Sequence, residues 1–228
     1  MMMPFISDKP IVAVFDLDDT LYKEIDFLKS GYQAISSWLQ QQFYTTEDTF
    51  EVLFGAYQRG DNAFKILNQK YGLDVSNEQY LKIYREHLPQ ISLDKSVYEL
   101  LCQLKSQGVK IGLRTDGRSV TQRNKISALG LNEFVEQGDI VISEEFGTQK
   151  PDVRNYRYFA DRYPNSRIIY VGDNPIKDFV AANSLGWQTI ELMDDGRNIH
   201  KQRINQLEHL YYAKQTVVNI TQILDYLR

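Results

Sequence analysis

Ile11-Val12-Ala13-Val14-Phe15 runs without interruption into Asp16-Leu17-Asp18-Asp19-Thr20-Leu21. A short apolar run with no polar alternation suits a strand buried on both faces, as in a parallel sheet. Similar runs recur at 109–113, 140–142 and 168–171, with weaker candidates at 188–192 and 216–218. Most of the gaps between them carry helical periodicity, as in Val97, Leu100, Leu101 and Leu104 before Gly108. Strand and helix in alternation predict an α/β fold, a Rossmann-like parallel sheet with helices on both faces, built from right-handed βαβ units. In such sheets ligands bind beyond the carboxyl ends of the strands, so the residues just after each run are where chemistry is sought.

One interval breaks the alternation. Between Tyr22 and about Leu93 the pattern is helical throughout, interrupted at Gly60, Gly72 and Pro89. The expected division is therefore a Rossmann-like core over 1–21 and 94–228 and a helical-bundle insertion over 22–93. Its first helix is predicted over 24–43, where Phe27, Leu28, Ile35, Trp38 and Leu39 recur at three- and four-residue steps. Thirteen aromatic residues lie between Tyr22 and Tyr84; their helical spacing favours a bundle core over a stacking surface for a base or sugar. Beyond the sheet, 201–212 reads as an added helix and 216–228 as a last strand and helix of the core.

Composition narrows the function. Hydrophobic residues make up 43% and charged residues 25% of 228, which fits a folded chain of enzyme size. A net charge of -4 and the lack of any Lys/Arg run argue against a nucleic-acid or anionic-membrane surface. Cys102 is the single cysteine, so no intrachain disulfide or thiolate zinc site forms, and a reducing, cytoplasmic setting is expected. The opening MMMPFISDKP lacks a signal-peptide pattern. His87, His200 and His209 are too scattered for a metal set. A monomer is the default expectation.

The strand tips carry carboxylates. Asp16 and Asp18 follow the first run directly, and a turn there aims both at one pocket, where like charges are costly without a cation. D-x-D-x-T arises by chance in a chain of this size on the order of a few per cent of the time. The bland reading is a turn cap, since Asp favours such positions. The second run ends in Arg114-Thr115-Asp116-Gly117, a hydroxyl and a turn with free N–H groups able to bind phosphate oxygens, although Thr-Asp-Gly is also a common turn. Lys150 stands directly before Pro151, and Gly172-Asp173-Asn174-Pro175-Ile176-Lys177-Asp178 supplies a second acidic pair. Magnesium takes few oxygen ligands from protein and leaves room for phosphate, which such a pair suits.

These four clusters, in this order and across the whole chain, resemble the haloacid dehalogenase superfamily, in its phosphatase branch with a helical cap inserted between the first and second motifs. The resemblance implies that Asp16 attacks phosphorus to form an aspartyl-phosphate, and that Asp18 protonates the leaving alcohol and then activates water. It implies Mg2+ as cofactor, held by Asp16, the Asp18 backbone carbonyl and Asp173. Thr115, Asp116 and Lys150 would hold the phosphoryl group, and Asp178 would support the metal water or Lys150. Asp19 would serve turn geometry only. The dehalogenases of this architecture lack the second aspartate, so Asp18 argues for phosphorus chemistry. Two positions depart from commoner members: Asp116, where many have Asn, and Arg114, where an apolar residue is frequent; an acid on a neighbouring loop is the expected partner of Arg114.

The function expected is hydrolysis of a small phosphorylated metabolite, a sugar phosphate or nucleoside monophosphate. A phosphomutase or phosphotransferase would share every core residue, and a non-catalytic metabolite-binding protein is the remaining alternative. Tyr22, Tyr57, Arg59 and Lys65 are candidate substrate contacts from the insertion.

Overall fold

The run Ile11–Phe15 forms β1, buried at every position because both faces of the sheet are covered. A computed structural model of the chain describes residues 9–43, 49–202 and 207–227. β1 leads to four helices, α1 (Glu24–Phe43), α2 (Thr49–Gln58), α3 (Ala63–Tyr71) and α4 (Asn77–Glu86). Then follow α5 (Lys95–Ser106), β2 (Lys110–Thr115), α6 (Ser119–Ala128), β3 (Ile140–Ile142), α7 (Ser143–Phe146), α8 (Arg154–Arg162), β4 (Arg167–Gly172), α9 (Phe179–Ser184), β5 (Gln188–Leu192) and β6 (Gln215–Val217).

The six strands lie in the order β3-β2-β1-β4-β5-β6 and every neighbouring pair is parallel. This is the doubly wound order, with its switch point at β1. Alternate residues of β1 enter separate cores: Ile11, Ala13 and Phe15 pack with α5 and α6, whereas Val12 and Val14 pack with Tyr156, Phe159, Phe179 and Trp187. Helices thus cover both faces, as the sequence predicts.

Helices α1–α4 bury a third core of their own around Leu28, Tyr32, Ile35, Leu39, Leu53, Leu67 and Tyr80. The aromatics here fill that core: Phe64 stacks on Tyr80 at 4.8 Å and Trp38 meets Tyr80 edge-on. Tyr22 and Phe27 instead join the sheet core, and Tyr44 lies outside the described residues.

One expectation near the C-terminus needs correction. Over 201–212 the described residues form only one turn of 3-10 helix, His209–Tyr211. The carbonyls of Leu210 and Tyr212 are taken by the Asn183 side chain, and Gln202 reaches the carbonyls of Asp173 and Leu192, so tertiary partners replace helical ones. Residues 203–206 lie outside the described set. The last helix is a 3-10 segment, Ile220–Tyr226, opened by an Asn219/Gln222 capping box. No helix among the described residues is long and apolar enough to cross a membrane.

Candidate active site

Register decides which side chains meet. Phe15 lies opposite both Leu113 of β2 and Val171 of β4, so Asp16, Thr115 and Asp173 emerge at the same rim on three adjacent strands. Pairing of Arg114 and Thr115 with Val141 and Ile142 carries β2 two residues beyond the expected end, to the site itself.

Lys150 is the hub. Its Nζ lies 2.7 Å from Asp16 Oδ1 and 2.7 Å from Asp178 Oδ1, with the side chain 3% exposed. Burial disfavours the ammonium, but the two carboxylates outweigh it and its pKa is raised. Asp178 also accepts from the Tyr170 hydroxyl and from the Asn174 N–H. It packs against a strand end that must be glycine: a Cβ on Gly172 would sit 2.5 Å from Asp178 Oδ2.

Asp116 lines the site cavity, but its carboxylate is engaged from the other side. It pairs with Arg114 at 2.8 Å and accepts the Lys150 N–H at 3.1 Å. Arg114 is fully buried and also donates to the carbonyl of Thr115. Its acidic partner is thus two residues along its own chain, not on a neighbouring loop.

Asp18 is held by three donors. Lys125 Nζ reaches Oδ1 at 2.7 Å, the Tyr22 hydroxyl donates to the same oxygen, and Gln122 Nε2 reaches Oδ2 at 2.9 Å. Burial would raise its pKa, but Lys125 and these hydrogen bonds hold the carboxyl below its usual range. Gln122 also donates to the Thr115 hydroxyl. Asp19 adopts a left-handed conformation, φ 55°, and accepts the N–H groups of Glu24 and Ile199, a turn and cap role.

Asp16, Asp173 and Asp178 present carboxylate oxygens within 4.8 Å of one another. Burial raises Asp16 to about 7 despite Lys150, and burial with the charges of Asp178 and Asp16 raises Asp173 to about 9. Glu24, nearby, is pushed to about 8 by burial and by Asp18. The cavity they share, of about 110 Å³, is lined by the carboxylates of Asp16, Asp18, Asp19, Glu24, Asp116 and Asp173 against only two lysines, Lys150 and Lys177. So many clustered carboxyl groups ionise together only beside a further cation, and oxygen-only donors fit a hard divalent metal ion. Asp173 has no cationic partner among the described residues; Asn198 Nδ2 donates to its Oδ2 at 3.0 Å.

Residues 13–192, more than three quarters of the chain, match the family model described as haloacid dehalogenase-like hydrolase. The chain belongs to this family of hydrolases. Among curated members, the glyceraldehyde 3-phosphate phosphatase of Methanocaldococcus jannaschii is 25% identical over 93% of this chain and 94% of its own length. The ribulose-1,5-bisphosphate 5-phosphatase of Halopiger xanaduensis is 27% identical over 78% and 82%. Of the solved structures of haloacid dehalogenase-like proteins, YfnB of Bacillus subtilis bound to magnesium superposes with a TM-score of 0.64 at 21% identity, covering 97% of this chain and all of that one. A 2-haloacid dehalogenase from Pseudomonas syringae superposes nearly as well, at 0.59, 19% identity and 96% and 98% coverage. Fold alone therefore does not separate phosphatase from dehalogenase, and the side chains must.

The structure brings together all seven residues singled out from the strand tips: Asp16, Asp18, Thr115, Asp116, Lys150, Asp173 and Asp178. The four candidates from the insertion do not line the cavity: Tyr22 is bonded to Asp18, Tyr57 packs in the helical core, Arg59 pairs with Asp61 at the surface, and Lys65 is exposed. Glu24, Lys177 and His200 line it instead. Gln122, Lys125 and Asn198 were not singled out by sequence. A signal existed for the first two: polar residues three apart fall on one helix face, next to Ile126, which is buried in the core.

Proposed function

We propose that this hydrolase is a magnesium-dependent phosphatase acting on a small sugar phosphate through a phosphorylated Asp16. The observation that carries the reading is Asp18, a carboxylate two residues after the nucleophile, clamped at the same rim by Lys125 and Gln122. A dehalogenase has no leaving alcohol to protonate, whereas phosphate-ester cleavage needs a general acid and then a base.

The residues divide the work as follows. Asp18, an anion under its three donors, takes up a proton as the dianionic phosphate comes to lie beside it, and Asp16 Oδ then attacks phosphorus as the ester oxygen departs with that proton. Asp18, now anionic, takes a proton from the water that attacks the aspartyl-phosphate, and Asp16 is released with inorganic phosphate. Lys150, the Thr115 hydroxyl and the Asp116 N–H of the turn after β2 hold the phosphoryl oxygens, the Gly117 N–H being taken by the Ser143 hydroxyl. Asp116 acts from behind, fixing the Lys150 backbone, since an acidic side chain does not bind phosphate. Asp16, Asp173 and the backbone carbonyl of Asp18 would hold Mg2+, with Asp178 positioning Lys150. The metal supplies positive charge that lets a phosphate dianion approach these carboxylates. Residues 22–93 would act as a cap over a core formed by 1–21 and 94–228, excluding bulk water.

Two observations support a small sugar phosphate over a nucleotide. The cavity is small and no Phe, Tyr or Trp lines it, so a base has no large ring to stack on beyond the His200 imidazole. The curated relatives above are named for a triose phosphate and a pentulose bisphosphate. Phosphate release from glyceraldehyde 3-phosphate, pentose phosphates and nucleoside monophosphates, with and without Mg2+, tests the reading. Metal-dependent release from the sugar phosphates is expected; release from none of them overturns it.

A further inference from the structure

The buried cation that the hydrolytic scheme leaves unused is Lys125. Its side chain is 3% exposed, a rare state for lysine that demands a partner. That partner is Asp18, at 2.7 Å. The same ammonium lies 4.3 Å from the ring centroid of Phe27, in the first turn of α1. One charge thus touches the proposed general acid and the start of the helical insertion together.

The helix bearing Lys125 repeats this double engagement. On α6, Gln122 holds the other Asp18 oxygen, while Thr121 Oγ1 donates to the Arg85 carbonyl at 3.0 Å and Asn124 Nδ2 donates to the carbonyls of Glu86 and His87. Two residues of α6 grip Asp18, and two grip the C-terminal end of α4. The orientation of Asp18 and the docking of the insertion are set by one rigid element.

We propose that Lys125 is a positioning residue that couples the Asp18 carboxylate to the docked position of the helical insertion through Phe27. The proposal rests on the phosphatase reading above. A proton delivered to a departing oxygen must come from a carboxyl held in hydrogen-bonding reach. Asp18 lies in a loop after β1, so side-chain donors must hold it, and Lys125 is the charged one. When the insertion is docked, the Phe27 ring covers the ammonium and fixes its position against Asp18. Displacement of the first turn of α1, which Phe27 anchors to the sheet core, removes that cover and loosens the grip on Asp18.

A merely structural buried pair would make a different prediction. Its loss would weaken the fold and slow every substrate alike. As general acid Asp18 acts only while the alcohol departs, so positioning for that step matters only to substrates whose leaving group needs a proton: an alkyl phosphate does, p-nitrophenyl phosphate does not. Loosened in its later role as base, it slows hydrolysis of the aspartyl-phosphate for both alike.

The test is steady-state turnover of glyceraldehyde 3-phosphate and p-nitrophenyl phosphate by wild type, Lys125→Met, Lys125→Arg and Phe27→Leu. For Lys125→Met we expect kcat/KM, which reports the steps through departure of the leaving group, to fall about a hundredfold on the sugar phosphate and less than about threefold on the aryl phosphate. Lys125→Arg, retaining the charge, should recover part of the loss. Phe27→Leu keeps the ion pair and an apolar side chain, and should show a smaller loss with the same selectivity, which keeps the test open if Lys125→Met fails to fold. Equal losses of kcat/KM on both substrates, or none, in whichever variants fold overturn the coupling. Wild type that turns over neither substrate overturns the phosphatase reading instead, and the inference falls with it.

Discussion

Lys150 Nζ stands 2.7 Å from Asp16 Oδ1, so the proposed nucleophile and the proposed phosphoryl clamp are already in contact. The pair is completed by Asp178 at the same distance on the other side. Positive charge is thus fixed beside the attacking oxygen before any substrate arrives.

Removing that charge should be costly in two ways. Lys150→Met leaves Asp16 and Asp178 buried together, and loss of one partner from a buried ion pair costs about 3 kcal/mol or more. We expect a clear drop in Tm together with a loss of phosphate release of at least about a hundredfold. Thermal unfolding that matches wild type would contradict the buried triad.

Gly172→Ala tests the contact behind Asp178. The added Cβ would fall 2.5 Å from Asp178 Oδ2, and the neighbours cannot give way without moving Lys150. A destabilisation of about 1–3 kcal/mol by chemical denaturation is expected, with reduced turnover. A variant as stable and as active as wild type would show that Asp178 is free to move.

Metal binding should release protons. Asp16 and Asp173 are raised to about 7 and about 9 in the metal-free protein, so at neutral pH Asp173 carries a proton that a divalent cation must displace. Apparent Mg2+ affinity should therefore rise with pH between about 7 and 9 and level off above. Calorimetric titration of Mg2+ in buffers of different ionisation enthalpy reads the proton count directly; a buffer-independent heat at pH 7.5 would contradict it.

Glu191 on β5 gives a pH dependence independent of turnover. It is 2% exposed, its Oε1 has no hydrogen-bond partner among the described residues, and burial raises it from 4.5 to about 7. The unfolded chain ionises above 4.5, whereas the folded protein keeps this group neutral until about 7. Its contribution to stability is therefore unimpaired below 4.5, is lost progressively as pH rises through this window, and stays lost above it. Glu191→Gln should match wild type in Tm near pH 4.5 and exceed it at pH 8. A constant difference between the two pH values would count against the shift.

How far these features can be read from sequence depends on how local their causes are. Asp16, Thr115 and Asp173 were legible because a parallel sheet aligns its strand tips, so three apolar runs suffice to place the residues that follow them. Lys150 was legible only in company, since nothing in Gln149-Lys150-Pro151 turns the side chain inward; that depends on Asp116 holding its N–H and on Asp178 waiting beneath Gly172. Lys125 and Gln122 reach Asp18 across more than a hundred residues, through the docking of α6, and a sequence pattern carries no record of that angle. The expected helix over 201–212 failed for the same reason in reverse: periodicity describes what a segment can form alone, and here Asn183 and Gln202 bind across it instead.

The central claim is that Asp16 becomes phosphorylated. Mass analysis of the peptide bearing Asp16, after rapid acid quench of the enzyme turning over glyceraldehyde 3-phosphate with Mg2+, tests it most directly. The account predicts one added phosphoryl group on Asp16, absent in Asp16→Asn, which should also release no phosphate. Full turnover by Asp16→Asn, or a phosphoryl group carried by another residue, would contradict it.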